Sequence, residues 1–206
     1  MKLDMQKILN LQNVDNSEFS RLCQAYVSLV SYWNSVTNLV SGRDVDNLLK
    51  NLILQSVTPL SQEDVPQGAR VLDVGSGAGI PALPLKFVRP DFKMTLLEPR
   101  RKKTLFLQRV VEELNLAEVE VVRGRLEEVN VKGDWDSAFD LVTTRGTGSA
   151  TALFPQIKPL IRSGGACWFY KGTAGPREAN ELKRSGLANV SLMPIDRALY
   201  VIIIKL

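Results

Sequence analysis

The 206-residue sequence contains no histidine, only two cysteines and no long apolar run. Without histidine the chain lacks the most common general base and metal ligand, which argues against a metalloenzyme and a serine–histidine hydrolase. Cys23 and Cys167 lack ligand-like spacing, so we expect packed thiols in a reducing compartment. No stretch approaches the roughly 20 apolar residues that span a bilayer, and "MKLDMQKILN" does not resemble a signal peptide. The sequence therefore predicts a cytoplasmic protein without a metal or a membrane segment.

Positive charge is concentrated in the larger, C-terminal part of the chain. Residues 1–66 hold 5 Lys/Arg and 7 Asp/Glu, and residues 67–206 hold the remaining 21 and 15. A basic surface favours a polyanionic partner, although many basic proteins bind no nucleic acid.

The first 66 residues have helical periodicity. In "FSRLCQAYVSLVSYWNSVTNLV" apolar residues recur at steps of three and four, with Ser17 placed as the N-cap, and "DVDNLLKNLILQSVTPL" repeats the pattern. The polar "SQEDVPQGA" is typical of a linker. We therefore predict an N-terminal helical extension over 1–66 and a separate domain over 67–206, and we expect a monomer.

From residue 70 onward, β-rich segments alternate with helical ones. The predicted strands are "RVLDV", "KMTLLE", "VEVV", "FDLVTT", "GACWFY", "VSLMPI" and "YVIIIKL". This alternation predicts an α/β fold, a Rossmann-like, mostly parallel sheet with helices on both faces. The connection between the last two strands is too short for a helical crossover, so the last strand should be antiparallel.

The stretch "VLDVGSGAGIP", residues 71–81, places Gly75, Gly77 and Gly79 directly after the first strand. Ligands of such sheets bind at the carboxyl ends of the strands. A dinucleotide loop would have its third glycine one position later, and a P-loop requires Gly-Lys-Ser/Thr. The remaining pattern, which begins at Asp73, looks like motif I of class I S-adenosylmethionine-dependent methyltransferases. The alternative is a glycine turn that only eases packing.

A second acidic residue supports a nucleoside-containing cofactor. Glu98 ends the next strand, about 20 residues further on, where a carboxylate accepts hydrogen bonds from ribose hydroxyls. S-adenosylmethionine also carries an amino group and a sulfonium, whose positive charges favour a nearby carboxylate such as Asp73, and glycines allow the backbone to approach it closely. The alternative for Glu98 is a surface acid.

Longer stretches resemble the glucose-inhibited division protein B family of bacterial methyltransferases, over nearly the whole chain. The matching segments are "WNSVTNLVSGRD" (33–44), "VLDVGSGAGIPALPLKFVRPDFKMTLLE" (71–98), "KKTLFLQRVVEELNL" (102–116), "RGRLEEV" (123–129), "TTRG" (143–146) and "YKG" (170–172). The resemblance implies a class I methyltransferase that transfers a methyl group from S-adenosylmethionine to guanine N7 in small-subunit (16S) rRNA. It also implies cofactor contacts from Gly75, Ile80, Leu126, Glu127 and Arg145.

The chain departs from the family pattern in two places on the presumed substrate side. Asn51, Leu52 and Gln55 stand where the family usually has an Arg-His pair and an Asp, and Gly146-Thr147-Gly148 follows Arg145 in place of Ala-x-Ala. These departures keep open a class I methyltransferase for another RNA site or a small molecule. A non-catalytic RNA-binding or regulatory protein that keeps the cofactor fold is a third possibility.

Guanine N7 is a target that a protein without histidine can methylate. Its in-plane lone pair attacks the sulfonium methyl directly, so no proton has to be removed first. The enzyme then contributes mainly positioning, worth up to ~7–11 kcal/mol, and electrostatic stabilisation of the charged product. We therefore expect Arg145 to position ligands and expect no general base.

Basic residues near the predicted strand ends are candidates for RNA contact. Four cations at a helix start oppose the helix dipole, which suggests another use such as phosphate binding. The candidates are Arg100, Arg101, Lys102, Lys103, Arg123, Arg125 and Lys171. The alternative is a solvated charged surface, and Arg145 could instead pair structurally with Glu127 or Asp140. Trp33 and Trp135 could stack on bases, although Trp33 lies on an apolar stripe and is expected in the core.

Overall fold

The computed structural model describes residues 5–37, 39–40, 45–130, 135–187 and 189–206. The α-helices are α1 (Met5–Leu11), α2 (Asn16–Thr37), α3 (Val45–Val57), α4 (Ala82–Val88), α5 (Arg101–Glu113), α6 (Leu126–Asn130), α7 (Ala150–Ile157) and α8 (Gly175–Arg184). The strands are β1 (Arg70–Val74), β2 (Lys93–Leu97), β3 (Val119–Val122), β4 (Phe139–Arg145), β5 (Ile161–Lys171), β6 (Val190–Pro194) and β7 (Tyr200–Lys205). Residues 41–44 of the "WNSVTNLVSGRD" stretch lie outside the described residues.

The strands form one sheet in the order β3-β2-β1-β4-β5-β7-β6. The pairs from β3 to β5 are parallel, and β7 is antiparallel to both β5 and β6. The predicted α/β fold with an antiparallel last strand is thus confirmed. The chain runs outward in one direction from β1 to β3 and in the other from β4, so strand order reverses between β1 and β4. Ligands of open α/β sheets bind at such a reversal.

Alternating residues of the strands pack on the two faces of the sheet. Val71 and Ile203 contribute to one apolar core with α1–α5, whereas Leu72 and Ile202 contribute to the other with α6–α8. This arrangement follows from the two-residue period of a strand, which makes a strand buried on both faces apolar throughout.

The N-terminal helices share the first of these cores. Tyr26 in α2 and Leu49 in α3 are fully buried in the same cluster as Phe87 of α4 and Phe106 of α5. The division at 66/67 stays a prediction, but the helices before it complete the core on one face of the sheet. Among the described residues, no helix is long and apolar enough to cross a membrane.

The N-cap of α2 is Asp15, so the prediction of Ser17 was wrong. Oδ1 of Asp15 accepts hydrogen bonds from the Ser17 amide at 2.8 Å and from the Ser17 hydroxyl at 2.7 Å. Asp and Ser cap helices about equally well, and the apolar pattern does not decide between positions that are two residues apart.

Candidate functional site

A cavity of about 510 Å³ lies at the carboxyl ends of β1, β2 and β4. The reversal of strand order predicts a ligand site at this place. Most of the predicted cofactor residues line it, namely Gly75, Gly77, Ile80, Glu98, Leu126, Glu127 and Arg145. Asp73 and Gly79 are not among the lining residues.

The glycine loop after β1 is held against the end of β2 by its backbone. The amides of Gly75 and Ser76 donate to the carbonyl oxygen of Leu97 at 2.8 and 3.1 Å. Gly75 and Gly77 have φ angles of +71° and +58°, which favour glycine because a Cβ is strained there. A side chain at Gly75 would also overlap the methyl group of Thr147. The loop therefore keeps a bare backbone on the cavity wall.

Glu98 joins this loop to the start of α5. Its carboxylate is buried and accepts hydrogen bonds from the amides of Gly77 and Arg100, each at 2.9 Å. Two carboxylate oxygens offer about four acceptor positions, so each oxygen can accept one more hydrogen bond. This arrangement fits the two hydroxyl groups of a ribose, and the alternative of a surface acid is excluded.

Asp73 lies behind the loop as a buried carboxylate. Its Oδ1 accepts a hydrogen bond from the Thr143 hydroxyl at 2.7 Å, and its Oδ2 has no partner among the described residues. Burial raises the pKa of Asp73 to about 6, although the hydrogen bond from Thr143 partly opposes this shift. A buried, incompletely paired carboxylate fits a cationic ligand, whose charge would stabilise the ionised form.

Gly79 and Tyr26 connect the glycine loop to the helices that pack beside it. A side chain at Gly79, where φ is +87°, would overlap Leu83 in α4, so this glycine permits close packing of the helix. The Tyr26 hydroxyl of α2 donates to the carbonyl oxygen of Ala78 at 2.6 Å. Helix α2 thus helps to hold the loop in place, a role that the sequence pattern did not reveal.

Arg145 lies at the end of β4 and lines the cavity. Its Nη2 donates to Oε1 of Gln55 in α3 at 2.9 Å, and its Nη1 is buried without a partner among the described residues. Among the described residues Arg145 forms no ion pair with Glu127 or Asp140, the two partners of the structural alternative, and Asp140 instead pairs with Arg162. Burial lowers the pKa of Arg145, but an arginine remains charged at neutral pH.

The predicted RNA-binding residues divide into three groups. Arg100, Lys103 and Arg125 line the cavity. Arg101, Lys102 and Arg123 are exposed, and no ion pair involves these six side chains within the described ranges. Lys171 differs, because it forms an ion pair with the buried Glu178 at 3.1 Å and also donates to the Gly148 carbonyl.

The two tryptophan candidates for base stacking both pack on phenylalanines. Trp33 lies edge-on to Phe106 at 5.9 Å and contacts the core, as its apolar stripe predicted. Trp135 lies edge-on to Phe139 at 5.6 Å. Neither contact favours stacking on a nucleobase.

Comparison with known proteins places the chain among methyltransferases. A sequence model of the GidB family, described as rRNA small subunit methyltransferase G, matches residues 20–192. The chain is 35% identical to the ribosomal RNA small subunit methyltransferase G of Moorella thermoacetica over 80% of this chain and 68% of that protein. It is 37% identical to the protein of the same name from Mycobacterium marinum, over 84% and 76%. It is 33% identical to the protein of the same name from Burkholderia ambifaria, over 87% of this chain and 81% of that protein.

Solved structures of low sequence identity share the fold. A SAM-dependent methyltransferase from Aquifex aeolicus superposes with a TM-score of 0.58 at 17% identity, over 73% of this chain and 88% of that one. Fibrillarin from Aeropyrum pernix, in complex with natively bound S-adenosyl-L-methionine, gives a TM-score of 0.55 at 17% identity, over 77% and 74%. These similarities confirm the predicted class I methyltransferase fold.

Proposed function

Because the chain belongs to the rRNA small subunit methyltransferase G family, we propose that it transfers a methyl group from S-adenosylmethionine to guanine N7 in 16S rRNA. The observation that most supports this proposal is the position of the buried Glu98, which lines the cavity at the strand-order reversal. Its carboxylate accepts a hydrogen bond from the Gly77 amide. Ribosomal RNA as substrate agrees with an assignment to the cytoplasm.

The cavity residues would bind the cofactor through three kinds of contact. Glu98 would accept hydrogen bonds from the ribose hydroxyls, and the backbone of Gly75 and Gly77 would lie close to the methionine portion. Leu126 is buried and would contact the adenine together with Ile80. S-adenosylmethionine supplies an electrophilic methyl group on a sulfonium centre.

The chain needs no general base for this reaction. N7 of guanine has a free lone pair, and the sequence contains no histidine. The remaining tasks are to hold N7 in line with the methyl group and to stabilise the charge that moves onto the purine. Glu127 and the buried Asp73 place negative charge at and behind the cavity wall, where it would stabilise that cation.

The basic side chains around the cavity would bind the RNA backbone. Arg100, Lys103 and Arg125 line the opening, and Arg101 and Lys102 continue the positive surface along the start of α5. Contacts from arginine and lysine to phosphate position a nucleic acid without reading its sequence. Lys171 is less suited to this role, since Glu178 already neutralises it.

A second candidate is a methyltransferase that modifies a different RNA site. It is favoured by the position of the departures from the family pattern, because Leu52, Gly146 and Thr147 all line the cavity. Mass spectrometry of rRNA from cells with and without the gene distinguishes the two. Loss of 7-methylguanosine from 16S rRNA in the deletion strain supports the first proposal, whereas loss of another methylated nucleoside supports the second.

A further inference from the structure

Gln55 bridges a cation and an anion that do not contact each other. Its Oε1 accepts from Nη2 of Arg145 at 2.9 Å, and its Nε2 donates to Oδ2 of Asp196 at 2.7 Å. A guanidinium only donates hydrogen bonds and a carboxylate only accepts them. The amide of Gln55 therefore has only one orientation that satisfies both partners.

Both ends of the bridge are fixed by other contacts. Oδ1 of Asp196 accepts hydrogen bonds from the amides of Ala198 and Leu199, each at 2.9 Å, in the turn between β6 and β7. On the other side, the hydroxyl of the buried Tyr170 donates to the carbonyl oxygen of Ser56 at 2.5 Å. Tyr170 pairs with Arg145 in the register of β4 and β5, so α3 is attached to the sheet directly beside the bridge.

The bridge leaves one side of the Arg145 guanidinium without a partner. Within the described ranges no carboxylate forms an ion pair with Arg145, and its Nη1 is buried and unbonded. An unsatisfied buried donor of a charged group destabilises a protein, and an acceptor on a bound ligand would relieve this. An anionic oxygen is the best acceptor, because its hydrogen bond to a guanidinium is charge-assisted.

We infer that Gln55 and Asp196 are positioning residues for Arg145, and that they hold its guanidinium at the cavity wall, where it binds an anionic oxygen of a ligand. This inference rests on the proposed function, which places the ligand in this cavity. The anionic oxygen belongs either to the carboxylate of the cofactor or to a phosphate of the RNA. In both cases Gln55 acts through Arg145 and does not touch the ligand.

The direction of the hydrogen bonds provides the test. In Asp196→Asn, the new amide oxygen is needed by Ala198 and Leu199, so its NH₂ group faces Gln55. Gln55 must then turn its own amide and present NH₂ to the donors of Arg145. The double variant Gln55→Glu/Asp196→Asn restores the pattern, since a carboxylate at position 55 accepts from both neighbours. Gln55→Leu removes the bridge, and Gln24→Leu on the exposed side of α2 is the matched control.

We expect Asp196→Asn and Gln55→Leu each to lower kcat/KM for RNA methylation about 10-fold, the value of a hydrogen bond to a charged group. The double variant should recover to within roughly threefold of the wild type, because the two changes are coupled, and Gln24→Leu should have no effect. Calorimetry and kinetics together identify the anion that Arg145 binds. If Asp196→Asn and Gln55→Leu bind S-adenosylmethionine more weakly in calorimetry, the anion is the cofactor carboxylate. If their cofactor affinity is unchanged and their KM for RNA is higher, the anion is an RNA phosphate.

Wild-type activity in Asp196→Asn, or no recovery in the double variant, would overturn the inference. Failure of the proposed function has a different signature, since the wild-type protein itself would then methylate no rRNA. In that case the affinities for S-adenosylmethionine and RNA, measured across the same variants, still decide whether the bridge positions Arg145.

Discussion

Thr143 donates a hydrogen bond to the Asp73 carboxylate at 2.7 Å across the point where strand order reverses, since the two residues are paired neighbours in β4 and β1. Thr143 is fully buried and Asp73 is nearly so. The bond joins the strand before the glycine loop to the strand that ends in Arg145. It satisfies one carboxylate oxygen and leaves the other without a partner among the described residues.

The buried Asp73 makes stability depend on pH. Its pKa of about 6 exceeds the value of 3.8 for an exposed aspartate, so the folded protein binds this proton more tightly than the unfolded chain. Its contribution to stability is therefore lost as pH rises through about 4 to 6. Relative to Asp73→Asn, the free energy of unfolding of the wild type should fall by about 2 kcal/mol between pH 4.5 and 7.5.

Denaturant titrations at both pH values measure this difference. Asp91→Asn is the control, because Arg89 lowers the pKa of Asp91 and its contribution is lost only below about pH 4. If the free energy of unfolding changes equally with pH in the wild type and in Asp73→Asn, the assignment of a raised pKa to Asp73 is contradicted.

Gly77→Ala should weaken S-adenosylmethionine binding at least about 10-fold, because the loop backbone must approach the ligand. A Cβ at Gly77 meets no atom closer than 3.7 Å, and it points toward the ammonium group of Lys103 at 3.8 Å. The fold should therefore tolerate it apart from the strain of φ +58°. Gly68→Ala is the matched control, since Gly68 has φ +68° and open space but does not line the cavity. Equal cofactor affinities by calorimetry in the two variants would remove Gly77 from the site.

RNA affinity should depend steeply on salt through the start of α5. Arg101→Ser/Lys102→Ser removes two exposed charges outside the cavity wall, so the slope of log affinity against log salt should decrease by about 1.4 for single-stranded RNA. Cofactor affinity should stay unchanged. Arg70→Ser/Lys93→Ser is the control, because these two residues pair at the amino ends of β1 and β2, whereas the cavity lies at the carboxyl ends of these strands. A slope equal to that of the wild type would assign Arg101 and Lys102 to the solvated surface.

Arg145→Lys should reduce methyl transfer at least about 10-fold with little change in melting temperature, because an ammonium cannot reproduce the planar donor fork. Arg162→Lys is the control for a purely structural arginine, since Arg162 pairs with Asp140 at the other end of the sheet. If Arg145→Lys and Arg145→Ala both lower the melting temperature while the folded protein keeps full turnover, Arg145 has only a structural role.

The parts of the structure that depend on local pattern were predictable from the sequence. The glycine loop after β1 and Glu98 at the end of β2 follow from the order of apolar segments, because parallel strands bring their carboxyl ends to one edge. The antiparallel β7 follows from the length of one connection. The family was confirmed through longer matching stretches than the glycine loop alone.

Contacts between distant segments were not predictable in the same way. Gln55 and Arg145 are 90 residues apart, and only the departure of Gln55 from the family pattern marked the position. Tyr26 looked like one more apolar residue of α2, although its hydroxyl holds the glycine loop. Lys171 has the charge of an RNA contact, but a buried glutamate that periodicity cannot locate neutralises it.

The most direct test is methyl transfer by the purified protein from S-adenosylmethionine with a deuterated methyl group to 16S rRNA, followed by digestion and mass spectrometry of the nucleosides. We predict that the label appears in 7-methylguanosine and that Arg145→Lys lowers its yield. Label in another nucleoside, or no label in RNA under conditions where the protein binds the cofactor, would contradict guanine N7 of the small-subunit rRNA as the target.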